Sequence, residues 1–215
     1  MTHLSMNSIA AATVATAVFA SHPSAQAAVT TAPYAPCKST EGLGDFAALV
    51  TYSYSSGTTA SLVIELSNTT PLALGGYITA IAVNPGPGVT SMAFIGSSSA
   101  SFSGLAGPVS ALPFGPYMIG ASTSGSWLGG GSPAGGIAVG ATESFTFSMT
   151  GSAAALAALD AETVLAAGCG AMAVRFRGGA VTDWSDKVAG TALPTPGTLA
   201  LAGLAALGRR RRRRA

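Results

Sequence analysis

The chain has 215 residues, 48% of them hydrophobic and only 8% charged, with 28 Gly and 12 Pro. Soluble domains average about 25% charged residues, and disordered low-complexity chains exceed about 25–30% Gly plus Pro, so the sequence is neither an ordinary cytosolic mixture nor a disordered one. Its net charge of +2 is produced by the tail: residues 28–193 hold four basic residues (Lys38, Arg175, Arg177, Lys187) against eight acidic ones, a net −4 that excludes a body built for polyphosphate.

In chain order the first element is an apolar run over 9–20, followed by Ser21-His22-Pro23-Ser24 and then Ala25-Gln26-Ala27. Small residues at Ala25 and Ala27 suit signal peptidase, which places a signal peptide over 1–27 with cleavage after Ala27. The first eight residues carry no Lys or Arg, and a buried apolar helix is the alternative.

From residue 28 to 192 the dominant period is two, so each strand presents one apolar face. Phe46 to Tyr54 alternates, Ser55-Ser56-Gly57 turns, and Leu62 to Leu66 returns. Tyr77 to Val83 follows Gly75-Gly76 and stops at Asn84-Pro85-Gly86-Pro87-Gly88. Val89 to Ile95 and Ser99 to Ser103 are weaker strands, Glu143 to Met149 the cleanest. Ala171 to Arg177 puts Met172, Val174 and Phe176 on one face and both arginines on the other. Ala153 to Ala167 has helical propensity, with Asp160 placed to cap a turn, which predicts one short helix crossing between strands. Short strands separated by Gly/Pro turns, without βαβ alternation, predict an all-β domain, a β-sandwich of roughly eight antiparallel strands.

Chemistry is sparse in this body. Both histidines precede residue 28, so signal removal leaves none for Ser-His-Asp catalysis or metal ligation. No phosphate loop or nucleophile elbow is present, and the expectation is a non-enzymatic protein with no cofactor and no metal. Cys37 and Cys169 pair most simply as one disulfide in an exported chain; two separate thiols are the alternative. Trp127, in a Gly-rich stretch, and Trp184, between Asp183 and Asp186, are candidate stacking plates for a glycan, and the two aspartates candidate partners for Ca²⁺ or a sugar. A solvated loop with a partly buried Trp is the plainer reading. Asn68-Thr69-Thr70 matches a glycosylation sequon, and a turn before Pro71 explains it equally.

Residues 193–215 form a third region: Pro194-Thr195-Pro196, an apolar run over 197–208, and Arg209, Arg210, Arg211, Arg212, Arg213 and Arg214. Twelve helical residues reach about 18 Å, short of a hydrocarbon core of about 30 Å. The arginines stay on the cytoplasmic side, so an exported body lies outside. An arginine tail alone would also suit nucleic acid, but the apolar run abutting it argues for a membrane element. This tripartite tail resembles the PEP-CTERM sorting signal, with Thr195 where that family usually has Glu. The resemblance implies an inner-membrane precursor recognised by an exosortase, cut near the motif, and delivered to the cell surface or an exopolysaccharide matrix of a Gram-negative bacterium. An ordinary tail anchor is the alternative. Ser67 to Pro71 leading to Gly75 to Asn84, Gly125 to Gly131 and Ala173 to Gly178 also resemble a surface domain that recurs upstream of such signals, without a catalytic motif. An extracellular carbohydrate-binding module is the second function these residues suggest.

Overall fold

The computed structural model describes residues 28–105, 107–129, 132–180 and 184–194. The signal region with Ala25 and Ala27, Thr195, Pro196, the apolar run over 197–208 and Arg209–Arg214 lie outside the described residues, as does Asp183. Among the described residues no helix is long and apolar enough to cross a membrane.

Alternation dictates the architecture. β2 (Phe46–Tyr54), β3 (Thr59–Asn68) and β11 (Thr142–Gly151) bury every second residue: Phe46, Val50 and Tyr52; Leu62, Ile64 and Leu66; Phe145, Phe147 and Met149. β1 (Ala28–Ser39), β4 (Gly75–Val83), β5 (Val89–Ser97), β6 (Ser103–Leu105), β9 (Ile119–Ser122), β12 (Met172–Gly179) and β13 (Ser185–Ala192) complete one antiparallel path in the order β5-β11-β3-β2-β1-β13-β12-β4-β9-β6. β10 (Ile137–Ala138) adds to β4, while β7 (Val109–Ser110) and β8 (Pro116–Tyr117) form a separate ribbon.

The all-β expectation holds, but the sandwich does not. The strands form one 11-stranded sheet that is nearly closed into a barrel. A long twisted sheet curls until its inner face covers itself, and a sandwich and a barrel show the same inward alternation in sequence. The two ends of the path meet where Phe102 stacks edge-on against Phe145, centroids 5.0 Å apart.

The helix is also shorter than expected. α1 spans Ala153–Ala157, capped by Ser152, whose Oγ accepts from Ala155 N at 3.2 Å. Asp160 caps a separate turn, accepting from Glu162 N and Thr163 N. An Ala-rich helix this short gains little from propensity. Packing decides instead: Leu156, Leu159, Val164 and Leu165 must all enter the barrel mouth, and a continuous helix would aim them in different directions. Tyr52 Oη donates to Leu156 O at 2.7 Å and Tyr34 Oη to Ala161 O at 3.1 Å, fastening this plug.

The opposite mouth is closed by the β1–β2 loop. Trp184 lies across Gly76 and Gly179 and meets Phe176 edge-on at 6.3 Å. Gly76 has φ +95°, and a Cβ there would stand 2.3 Å from the indole, so only glycine serves.

Candidate functional site

β12 lies between β4 and β13, and its alternation sorts its side chains as the sequence suggested. Met172, Val174 and Phe176 enter the barrel; Ala173, Arg175 and Arg177 face outward. Over this outer face folds the segment from β6 to Gly129. Leu105, Val109, Ala111, Tyr117 and Trp127 pack on Ala80, Ala82 and Ala173 as a second, smaller apolar cluster.

The Gly-rich stretch at the end of that flap is anchored by the two arginines. Arg175 Nη1 donates to Trp127 O at 2.8 Å and Gly129 O at 3.3 Å, and Arg177 Nη1 donates to the same Gly129 O at 2.9 Å. Two guanidinium groups thus share one carbonyl. Burial and then the Arg177 charge lower the Arg175 pKa, although a guanidinium stays protonated. Arg175 Nε and Trp127 Nε1 are buried without a partner.

The register brings in two further cations. Lys187 on β13 stands directly opposite Arg175, and Lys38 on β1 directly opposite Ala189, two residues along β13 from Lys187. Lys38, Lys187, Arg175 and Arg177 therefore occupy one outer face across three adjacent strands. They are all the basic residues of the body. Among the described residues none of the four has an ion-pair partner.

Cys37 and Cys169 border this face and form a disulfide, with Cα atoms 5.7 Å apart, that ties β1 to the chain entering β12. The paired reading of the two cysteines is therefore the one the fold adopts.

The other sequence candidates are placed differently. Trp127 and Trp184 are 4% and 6% exposed, so neither indole offers an open ring to a sugar. Trp127 only borders, with Leu105, Pro108, Val109 and Leu128, an open groove of about 490 Å³. Asp186 is fully buried, and its carboxylate accepts from Ser39 Oγ, from Thr40 N and Oγ1, and from the backbone N–H groups of Glu41, Leu43, Gly44 and Lys187, at 2.7–3.1 Å. Burial acts to raise its pKa, but the donors of Gly44, Ser39, Leu43 and Thr40 outweigh it and bring the value to about 2. With every lone pair taken, this aspartate organises a loop and has no coordination site left for Ca²⁺. Among the described residues no group of three or more His, Cys, Asp or Glu is arranged to hold a metal.

Asn68 is 1% exposed, its amide donating to Gly76 O and Ile137 O while Oδ1 accepts from Thr70 N. The sequon therefore sits in a turn whose amide is consumed by the fold. What sequence reasoning missed is the convergence of the four cations. The outward parity of Arg175 and Arg177 was visible; the pairing of β13 with both β12 and β1 was not. Compared with family models, with curated proteins and with solved structures, the chain matches none.

Proposed function

We propose that this is an exported, non-enzymatic protein of the cell surface or exopolysaccharide matrix, processed at its C-terminus by an exosortase. The observation that carries the reading is the order of three segments: Pro194-Thr195-Pro196, an apolar run too short for a comfortable span, and six consecutive arginines. The apolar run and Ala25-Gln26-Ala27 at the other end support delivery across the inner membrane before that tail is engaged. The Cys37–Cys169 disulfide supports an oxidising compartment. Signal peptidase and the exosortase are the processing partners, and association with the inner membrane is transient.

Intact-mass measurement of surface material tests this. The expected species begins at Ala28 and ends before Arg210, and replacing Pro194 and Pro196 by alanine holds the precursor in the membrane. Full-length mature chain resident in the inner membrane would establish a plain tail anchor instead, and cytosolic chain retaining Met1 would overturn export altogether.

The second reading, an extracellular carbohydrate-binding module, loses Trp127 and Trp184 as contacts because both are covered. It is favoured only by a different surface, the cationic face of β1, β13 and β12.

A further inference from the structure

Every lysine and arginine of the body stands on the outer face of three neighbouring strands. Lys187 and Arg175 are directly opposite one another, an arrangement that destabilises a sheet when both residues carry the same charge. Arg177, two residues along β12, extends the row, and Lys38 extends it in the other direction on β1. Nothing among the described residues relieves the repulsion: Asp186, adjacent in sequence to Lys187, turns inward and spends its carboxylate on the β1–β2 loop. Glu41 on that loop is exposed and forms no ion pair among the described residues. Arg175 is buried beneath the flap, and its Nε has no acceptor among the described residues. A fold that gathers its few cations on one face, with no ion pair to them among the described residues, is arranged for an anion that is not part of the chain.

We infer that the outer face of β1, β13 and β12 binds an acidic polysaccharide, whose carboxylates are received by Lys38, Lys187 and Arg177, while Arg175, covered by the flap, adds its charge from beneath. The span decides between one ion and a chain. At ordinary strand spacings Lys38 and Arg177 are roughly 16 Å apart, more than a single small anion bridges and the reach of an extended polymer with repeated charges. The chemistry of the face selects the polymer. All three strands are internal to the sheet, so a peptide finds no free edge for strand addition. Single-stranded nucleic acid needs a succession of exposed rings, whereas among the described residues this face has one ring beside it, the half-buried Tyr77 opposite Arg177 on β4. One aromatic ring beside a guanidinium, with Ser185 opposite Arg177, suits a sugar carrying a carboxylate.

The inference deepens the export reading, since outside the cell is where the domain would meet such a polymer, but the two fail separately. The test uses full-length chain in detergent with Arg209–Arg214 replaced by glutamine, which removes the tail as a competing cation. Calorimetric titration with oligogalacturonate at low salt is expected to give saturable binding that weakens as salt rises. Lys187→Gln combined with Lys38→Gln, neither of which bonds the flap among the described residues, is expected to weaken it at least tenfold with the thermal midpoint unchanged, and Arg177→Gln to weaken it while also lowering the midpoint through the lost bond to Gly129 O. Lys38→Gln alone, at the edge of the face, is expected to cost less than Lys187→Gln alone. If the double variant unfolds, each single substitution is read instead, with at least a threefold loss expected. Absence of binding, binding indifferent to these substitutions, or equal binding of a neutral oligosaccharide would each overturn the inference. Equal affinity for oligothymidylate would overturn the assignment to a polysaccharide. Chain recovered at the surface that binds no oligogalacturonate refutes this inference alone; cytosolic chain that binds it refutes the export reading alone.

Discussion

Replacing Asp186 by asparagine removes one charge without changing the shape of the side chain, and the structure says how much that matters. Seven donor groups converge on the carboxylate, divided between its two oxygens: Thr40 N, Thr40 Oγ1, Glu41 N and Lys187 N reach Oδ1, Leu43 N and Gly44 N reach Oδ2, and Ser39 Oγ reaches both. An amide accepts at only one end. Whichever way it is turned, its NH₂ confronts at least two backbone N–H groups that are left unsatisfied, each at about 1–3 kcal/mol. A loss of roughly 4 kcal/mol is therefore expected, which for a domain of this size lowers Tm by about 8–16 °C. The wild-type pH dependence supplies a second reading. The carboxyl falls from 3.8 to about 2 on folding, worth roughly 2 kcal/mol that is fully present above pH 4 and lost as pH falls towards 2. Urea unfolding of both chains across this range checks the argument: the gap between them should be widest above pH 5 and narrow towards pH 2. A gap below about 1 kcal/mol at pH 7, or one independent of pH, would show that the β1–β2 loop does not depend on this anion.

Cys37→Ala with Cys169→Ala opens a loop closed across a separation of 132 residues, and chain entropy predicts a cost of about 5 kcal/mol, measurable as a lower urea midpoint. The same shift should follow reduction of the wild type, because both cysteines are exposed. Tyr34→Phe removes a hydroxyl bonded to Ala161 O and Glu162 O and should destabilise by about 1 kcal/mol. Tyr117→Phe should be neutral or slightly stabilising, because the Tyr117 hydroxyl is buried without a partner and burial raises its pKa to about 12. Thermal melts of the two variants, side by side, would refute the contrast if they shifted equally. Asn68→Ala should cost roughly 2–3 kcal/mol by stranding Gly76 O, Ile137 O and Thr70 N, and a melt unchanged by the substitution would contradict that role.

The strands that were legible in the sequence are those with an uninterrupted apolar beat. Phe46 to Tyr54, Tyr77 to Val83 and Glu143 to Met149 all lie within β2, β4 and β11. Those that were not, β1 and β13, break the beat for identifiable reasons. β1 contains Pro33 and Pro36, which remove ladder donors, and a bulge between Pro36 and Lys38 that shifts its alternation. β13 reads Ser-Asp-Lys-Val-Ala-Gly-Thr-Ala: its inward positions are Asp186, Val188 and Gly190, so the inner face never shows as a run of large apolar residues. Gly190 is inward because Phe46 and Met172 already fill its place, at 2.7 and 2.9 Å from where a Cβ would stand. Aspartate inside a strand signals a loop to any reading by pattern, and only the seven donors of the folded chain explain it.

That same pair of strands accounts for the cationic face. From sequence, Lys38 and Lys187 are separated by almost the whole body and neither belongs to an apparent strand, whereas Arg175 and Arg177 are simply the polar side of an alternating one. Pairing β13 with β12 on one side and β1 on the other puts all four on a common surface without any local signal of it. The glycan reading rested on aromatic rings, Trp127 and Trp184, and the fold places both rings in its packing instead. Large rings are the first groups a chain with so few charged residues must cover, since they carry the most apolar area to remove from water. The long cations are harder to cover, because desolvating them without a counter-ion is costly, and the one that the flap does cover, Arg175, is held by the carbonyls of Trp127 and Gly129. In a chain this poor in charge, the surface available for recognition is therefore set by where the sheet leaves its lysines and arginines, not by where the sequence puts its tryptophans.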